Sequence, residues 1–406
     1  MKLATPSAAP CDRELRIALT PAAEFAAEYG HLQRAVMSPA EHAEAVAVIS
    51  AWPGYASTPL LSVPGLAGQL DLARVDVKDE GQRWSVRSFK ALGPPYALAR
   101  IVATVCSQQA GRTISSVELL QAPPLPSAAR VCACAATSGN HGRALAWGAQ
   151  RLGCRCVIYM PEHTSRPREQ AIRDLGAQVV RVSGNFDASV VRAKEDARRE
   201  GWILVGEVAP RDWPDTPRHI LHGYSVLGAE LLANDVQRPL PTHVFISAGS
   251  GKLAAGITGA LWLACGPQRP RVVIVQPHRA DCVFQSVSHQ QRTPASGDLV
   301  TLMDGLSVGQ ISPLAWPLLR SGAAAAITIS EQAAVHALRR MAHPIAGDPP
   351  VLLGETGIAA LAGLIAVAQS PEARNMLQID STSRCLAVGC EGVTDPEIFQ
   401  RLIAPE

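Results

Sequence analysis

The chain has 406 residues, which is enough for two or three domains and a large buried core. Apolar residues make up 47%, charged residues 18%, and the net charge is only +2, so neither nucleic acid nor a membrane surface is expected as a partner. No apolar stretch suits a transmembrane helix, and the N-terminal stretch MKLATPSAAPCDRELR lacks the continuous apolar core of a signal peptide.

The ten cysteines show no metal-binding pattern. Cys132 with Cys134, and Cys154 with Cys156, form two CxC pairs in strand-like runs, where a spacing of two puts both side chains on one face. Such pairs are weak zinc sites compared with CxxC pairs. We expect buried, reduced thiols, no bound metal and, because no signal peptide is evident, a cytoplasmic protein.

Beyond residue 130, short apolar runs alternate with longer amphipathic runs. The pattern predicts seven successive elements, which are strands at 131–137, 154–161, 178–184 and 202–207 with helices at 140–153, 165–177 and 187–201 between them. Repeated strand–helix–strand units predict parallel sheets with right-handed crossovers, which is an α/β fold.

A Pro-rich stretch at 204–219 has little periodicity, and it is predicted to be a long ordered loop of the kind that often carries function. After this stretch, short apolar runs again alternate with longer amphipathic runs. The later predicted elements are a strand at 242–249, a helix at 251–266, a strand at 271–277, a helix at 354–369 and a strand within 384–392.

The segment Ser88-Phe89-Lys90-Ala91 precedes a mostly apolar run, so Lys90 lies at the predicted start of a helix. An exposed lysine is the ordinary explanation, but a helix N-terminus disfavours a cation. A neutral or covalently engaged amine explains this position better, because a buried lysine shifts its pKa readily and can form a Schiff base.

The run Thr-Ser-Gly-Asn-His-Gly separates the predicted strand at 131–137 from the following helix. An N-cap by Ser138 or Asn140 is the ordinary explanation, but a cap needs only one such residue. Several small or polar residues after a buried strand favour a loop whose amides bind an anion at the helix N-terminus.

Two further segments follow predicted strands. Residues 248–253, Ala-Gly-Ser-Gly-Lys-Leu, could bring backbone amides close to a phosphate, although a tight strand–helix turn is the alternative and neither the Walker nor the dinucleotide fingerprint is present. Cys390 ends the last predicted strand, where open α/β sheets bind ligands, although a buried structural cysteine is the alternative.

Together these features resemble the type II fold of pyridoxal-phosphate enzymes, which includes serine and threonine dehydratases, and most closely the diaminopropionate ammonia-lyases. The segments that carry the resemblance are SFKALG, ATSGNHGRALAWGAQRLG, VIYMPEHTS, HGYSVL, AGSGKLAAG, QPHRADC and GETGIAALAG. The resemblance implies two doubly wound parallel-sheet domains with pyridoxal 5'-phosphate between them. Residues 1–92 and 223–406 would form the large cofactor-binding domain, and residues 93–222 the small domain.

The resemblance also implies roles for individual residues. Lys90 would form the Schiff base, Asn140 would bind the cofactor 3'-oxygen, and Cys390 would face the pyridine nitrogen as a neutral partner. The full set comprises Phe89, Lys90, Asn140, Gly249, Ser250, Gly251, Lys252, Leu253 and Cys390 for the cofactor, Thr137, Ser138, Gly139 and His141 for the substrate, and Lys90, Ser138 and Glu207 for catalysis.

Two departures from the ammonia-lyase pattern affect the substrate. The family has Asp where this chain has Ser138, and that Asp is the candidate base for D-isomers; a serine hydroxyl needs a base of its own to replace it. Glu207 is the counterpart of a family acidic residue, but it lies in the poorly matched 204–219 segment.

The implied reaction is α,β-elimination on a small L-amino acid such as 2,3-diaminopropionate, with Lys90 removing the α-proton. A departing amine must be protonated, and Lys90, Glu207 or a water could supply that proton. The alternatives are a serine/threonine-type dehydratase, a β-replacement synthase, and a cofactor-binding protein without catalysis. The family is commonly dimeric, so a homodimer is expected.

Overall fold

The computed structural model describes residues 15–137, 139–206, 215–233, 238–344 and 347–404. Two of the predicted site residues, Ser138 and Glu207, lie outside the described residues. The described chain forms a mixed α/β structure with one large and one small sheet, as predicted.

The strands are short and mostly buried. In chain order they are β1 (Arg16–Leu19), β2 (Leu60–Ser62), β3 (Arg74–Asp79), β4 (Cys132–Ala136), β5 (Arg155–Pro161), β6 (Gln178–Val182), β7 (Ile203–Leu204), β8 (His243–Ser247), β9 (Arg271–Pro277), β10 (Ala325–Ile329) and β11 (Arg384–Gly389).

Helices connect the strands and cover the sheets. They are α1 (Ala22–Phe25), α2 (His31–Val36), α3 (Pro39–Ser50), α4 (Pro64–Gln69), α5 (Gly93–Ala110), α6 (Ser116–Gln121), α7 (Asn140–Leu152), α8 (Arg166–Arg173), α9 (Phe186–Glu200), α10 (Thr216–Ala233), α11 (Lys252–Cys265), α12 (Cys282–His289), α13 (Trp316–Gly322), α14 (Glu331–Ala342), α15 (Ala359–Gln369), α16 (Pro371–Leu377) and α17 (Pro396–Ile403). Short 3₁₀ turns lie at Glu80–Gln82, Trp84–Val86, Phe89–Ala91, Ala128–Arg130, Gly266–Gln268 and Asp304–Leu306.

The large sheet has seven strands in the order β1-β10-β9-β8-β11-β3-β2. Its five central strands pair in parallel, and β1 and β2 add antiparallel edges. In β8 and β9, Val244 and Ile274 pack into one apolar cluster, while Phe245 and Val275 pack into a second. Alternate side chains therefore enter two separate cores, which is the arrangement of a parallel sheet covered on both faces.

The small sheet has four parallel strands in the order β6-β5-β4-β7. β4 lies inside this sheet, so the chain proceeds outward on one side through β5 and β6, and β7 then adds on the other side. The carboxyl end of β4, beside the point where this order reverses, is where such sheets bind ligands. The predicted domain boundaries, at 92/93 and 222/223, stay predictions.

Most predicted elements are present, and three boundaries are corrected. The helix predicted at 165–177 ends at Arg173, and Gly176 follows in a left-handed conformation with φ of 81°. The stretch 204–219 is not loop throughout, because α10 begins at Thr216 with Pro217 in its first turn, where proline is tolerated.

The third correction concerns the helix predicted from residue 354, which begins only at Ala359. The preceding residues form a turn against the chain that follows β11. A Cβ at Gly357 would clash with the carbonyl oxygen of Glu391, so only glycine allows this approach. The turn brings Glu355 and Thr356 beside Glu391.

The described cysteines are all free thiols, and both CxC pairs lie on strands or directly before them. Burial raises the pKa of the Cys134 and Cys154 thiols to about 12, so both stay protonated. Within the described ranges, no helix is long and apolar enough to cross a bilayer.

Candidate active site

Three strand ends meet at one edge of the two sheets. The Ser247 hydroxyl at the end of β8 donates to the Cys390 thiol after β11, at 3.6 Å. The Asn140 side-chain amide, four residues beyond the end of β4, donates to the carboxyl group of Glu391. The structure therefore brings the predicted Lys90, Asn140 and Cys390 segments into one region, although they lie up to 300 residues apart.

Lys90 lies in the 3₁₀ turn directly before α5. The Ser88 hydroxyl accepts a hydrogen bond from the Lys90 amide at 3.3 Å, and the Phe89 amide donates to the Cys390 carbonyl at 3.0 Å. The Lys90 amine lies 5.1 Å from the Phe89 ring centroid and 5.8 Å from that of Tyr224, a residue of α10. The amine is thus held over aromatic faces next to the end of β11.

The polar loop after β4 turns the chain directly into α7. Thr137 Oγ1 accepts a hydrogen bond from the Gly139 amide at 3.0 Å, and Asn140 is the first residue of the helix. At this position the Asn140 backbone amide has no partner within the helix, which is the geometry predicted for anion binding. Its side chain, however, points across the cleft to Glu391.

The structure commits the His141 side chain to a structural contact. This buried imidazole donates from Nε2 to the Val205 carbonyl at 2.7 Å, and it thereby connects α7 to the chain leaving β7. This contact accounts for one of the two ring nitrogens of His141.

The glycine-rich loop after β8 is fixed through its carbonyl groups. The Gln276 amide donates to the carbonyls of Ala248 and Gly249 at 2.9 and 3.3 Å. The Ser250 carbonyl accepts from the Ser312 amide at 2.9 Å. Because these carbonyls are bonded to the protein, the loop presents N–H groups to the other side, which suits a phosphate.

The same loop leads into the N-terminus of α11. Gly251 adopts φ of 87°, a left-handed conformation that favours glycine, and Lys252 and Leu253 are the buried first residues of the helix. A Cβ at Gly249 would lie 2.9 Å from Val308, so this position has no room for a side chain. A buried lysine at a helix N-terminus is stabilised when an anion lies nearby.

Cys390 follows β11 and is fully enclosed, with 1% of its surface exposed. Its thiol accepts from Ser247 and donates to the Thr356 carbonyl at 3.7 Å. Burial raises the pKa of the Cys390 thiol far above neutrality, so this group stays uncharged. It is therefore suited to be the neutral partner that the sequence analysis expected.

Glu391 is a site residue that sequence reasoning missed. Its carboxyl group is buried, and burial together with the nearby Glu355 raises its pKa to about 8, against the lowering effect of Arg168. The stretch 384–392, which contains the last predicted strand, includes this residue, but only Cys390 was singled out. An acidic residue directly after a buried strand was the available signal.

Arg168, on α8, is the second missed residue. It pairs with Asp304 at 2.8 Å and with Glu355 at 3.0 Å, and its Nε lies 3.8 Å from Asp395. These three carboxylates come from the part of the chain that carries the large sheet, while α8 flanks the small sheet. Arg168 therefore ties the two parts together beside Glu391.

These residues fit pyridoxal phosphate. The glycine loop offers amides and a helix N-terminus to a phosphate, Cys390 offers a neutral contact, and Lys90 offers an amine at the same edge of the sheets. The described part of the chain shows no group of three or more His, Cys, Asp and Glu side chains able to hold a metal ion.

Comparisons with known proteins agree with this site. The model of the pyridoxal-phosphate dependent enzyme family matches residues 51–390. A diaminopropionate ammonia-lyase from Salmonella typhimurium is 32% identical over 360 residues, which cover 86% of this chain and 89% of that protein.

Solved structures extend the similarity to the fold. Holo diaminopropionate ammonia lyase from Escherichia coli aligns with a TM-score of 0.84 at 28% identity, covering 96% of both chains. The same enzyme in complex with an aminoacrylate-PLP azomethine reaction intermediate aligns with a TM-score of 0.83 at 29% identity, covering 96% of this chain and 97% of that one. The predicted type II fold is confirmed. The chain belongs to the family of pyridoxal-phosphate dependent enzymes and, within it, to the group that contains the diaminopropionate ammonia-lyases.

Proposed function

We propose that this protein is a pyridoxal-phosphate-dependent ammonia-lyase that acts on 2,3-diaminopropionate or a similar small L-amino acid. The reaction removes the α-proton and the β-amine, and it yields an oxo acid and ammonia. The observation that carries the proposal is the meeting of the Lys90 amine, the Asn140 loop and the neutral Cys390 at one sheet edge. The similarity to ammonia-lyases over most of the chain supports amine elimination above the dehydratase and β-replacement alternatives.

Each part of the site has a distinct task in this proposal. Pyridoxal phosphate, when bound, supplies the electron sink for charge that develops at the α-carbon. The Lys90 amine would hold the cofactor, and the same amine would take the α-proton of the substrate. The Asn140 amide at the start of α7 binds the substrate carboxylate, with Gly139 and Thr137 shaping the loop around it, and the loop at 249–253 binds the cofactor phosphate.

A substrate screen tests the activity. Purified protein with pyridoxal phosphate is incubated with L- and D-2,3-diaminopropionate, serine and threonine, and oxo acid is quantified. Release from L-2,3-diaminopropionate above all others is expected. A fastest reaction with serine or threonine would instead identify a dehydratase, and no oxo acid from any substrate would refute an elimination enzyme.

Variants of the lysines test whether Lys90 is the base that removes the α-proton. Lys90→Ala is expected to lose about 10²- to 10⁴-fold in rate from the missing base alone, while Lys194→Ala on α9 is the matched control. The chain has only five lysines, Lys2, Lys78, Lys90, Lys194 and Lys252, so borohydride reduction followed by peptide mass spectrometry distinguishes them readily. Absence of an adduct on Lys90 would refute its assignment.

The stereochemical preference follows from Ser138, which is known here from the sequence alone. The family's candidate base for D-isomers is absent at this position, so L-2,3-diaminopropionate is expected to react much faster than the D-isomer. Equal rates would contradict this interpretation of Ser138.

Assembly and location complete the proposal. A cytoplasmic homodimer is proposed, because the free thiols suit a reducing compartment and the family is commonly dimeric. Light scattering of the purified protein would test the dimer, and cell fractionation would test the location.

A further inference from the structure

Glu391 is a buried carboxyl group that lies between two predicted parts of the active site. One of its oxygens accepts a hydrogen bond from the Asn140 side chain. Its backbone forms an antiparallel bridge with Ser88, two residues before Lys90. Only 5% of Glu391 is exposed, so the residue is shielded from bulk solvent.

The charges around Glu391 favour its protonated form. Burial is the largest influence, and Glu355 and Asp304 add negative potential. Arg168 opposes them, but this single guanidinium already pairs with both Asp304 and Glu355. A hydrogen bond from the Thr356 side chain also lowers the pKa of Glu391, but burial and the two carboxylates outweigh both effects. The pKa of Glu391 is raised to about 8, so the carboxyl group carries a proton at neutral pH.

Glu391 also adjoins Cys390 in the chain, and its backbone lies against the segment that carries Lys90. The Cys390 thiol is uncharged because burial raises its pKa. The Phe89 amide donates to the Cys390 carbonyl at 3.0 Å, which places the Lys90 segment beside the same strand end. A base and a neutral acid therefore adjoin one strand end.

We propose that Glu391 is the general acid that protonates the departing β-amine. This rests on the proposed ammonia-lyase function. Lys90 takes the proton from the α-carbon, and the C–H electron pair forms the new bond between the α- and β-carbons. The bond between the β-carbon and nitrogen breaks with its electron pair going to nitrogen, and the Glu391 O–H transfers its proton there. Ammonia leaves, and the Glu391 carboxylate regains a proton from the Lys90 ammonium through solvent.

The leaving group provides a sharp test. β-Chloro-L-alanine undergoes the same elimination, but chloride leaves as a stable anion and needs no proton. Glu391→Gln keeps the shape and an acceptor for Asn140 while it removes the acid. This variant is expected to lose about 10²- to 10⁴-fold in kcat with L-2,3-diaminopropionate and to retain the wild-type rate with β-chloro-L-alanine. Glu391→Asp, which keeps an acid, is expected to recover part of the lost rate.

The possible outcomes distinguish failure of the proposed ammonia-lyase function from failure of the proposed role of Glu391. If the wild type eliminates chloride but releases nothing from diaminopropionate, the proposed function fails and this proposal fails with it. Alternatively, the wild type turns over both substrates, and Glu391→Gln either slows both reactions equally or leaves both unchanged. With either result Glu391 does not protonate the leaving group, and only this proposal fails. Glu195→Gln, which replaces an exposed carboxylate on α9, is the control and should change neither rate.

An infrared measurement tests the proton itself without turnover. Difference spectra of the holoenzyme are recorded about two pH units below and above the pKa of Glu391. A carbonyl band of a protonated carboxyl group should disappear at high pH in the wild type and be absent from Glu391→Gln. A wild-type protein without such a band would overturn the proposal.

Discussion

Replacement of Glu391 should change how the stability of the protein depends on pH. In the unfolded chain this carboxyl group titrates near 4.5, whereas in the folded protein its pKa is about 8. Between these values the folded state binds one more proton than the unfolded state, so stability falls as pH rises. Its contribution is fully present below pH 4.5 and is lost as the pH rises through 8.

The size of the effect on stability follows from the difference between the folded and unfolded pKa values of Glu391. At about 1.4 kcal/mol per pH unit, the rise in pKa from 4.5 to about 8 corresponds to about 5 kcal/mol of free energy of unfolding. This is comparable with the whole stability of many domains, which is about 5–15 kcal/mol. Glu391→Gln removes the titration, so the variant should gain stability relative to the wild type as the pH increases.

Urea unfolding of the cofactor-free protein, followed by tryptophan fluorescence, measures this difference. Wild type and Glu391→Gln are compared at several pH values between about 5 and 9, which include most of the titration. The difference in unfolding free energy should grow by about 4 kcal/mol across that range. Parallel pH profiles would refute the reasoning, because they would mean that Glu391 is ionised in the folded protein at neutral pH.

Three further predictions concern the surrounding residues. Gly249→Ala should weaken binding of pyridoxal phosphate, measured by absorbance titration, because the new methyl group would lie 2.9 Å from Val308 and displace the phosphate loop. Arg168→Gln should shift the infrared titration of Glu391 to higher pH, because this guanidinium lowers the pKa of Glu391; unchanged titration would contradict that assignment. Cys390→Ser should retain the cofactor and most of the elimination rate, since a hydroxyl is also neutral and can make the same contacts with Ser247 and Thr356; loss of the cofactor would contradict this.

The sequence predicted those parts of the fold that depend on local periodicity. α7 and α11 were placed within one or two residues, because apolar spacing and flanking glycines mark both ends. The start of α15 was predicted five residues too early, since its apolar pattern continues into the GETG turn. What stops the helix there is contact with Glu391, and a contact between distant segments leaves no periodic signal.

The site residues also divide into those that the sequence indicates and those that only the structure reveals. Lys90, Asn140 and Cys390 could be recognised because each lies at a strand or helix end with an unusual composition. Arg168 could not be recognised, because a single basic residue is ordinary until its neighbours are known, and the only signal for Glu391 was its position directly after a buried strand. The protonation state of Glu391 depends on burial and on three other charged residues, none of which is adjacent in the sequence.

Ser138 and Glu391 together suggest how this chain could keep ammonia elimination while losing one of the family's features. Elimination needs a base for the α-proton and an acid for the departing nitrogen, and these tasks can lie on different parts of the site. The family's Asp at position 138 is its candidate base for D-isomers, and we expect the serine of this chain not to replace it. Glu391 lies on a different segment of the chain, directly after β11, so we expect its proposed acid task not to require an acidic residue at position 138. The expected result is an enzyme restricted to L-isomers in which the leaving amine is still protonated.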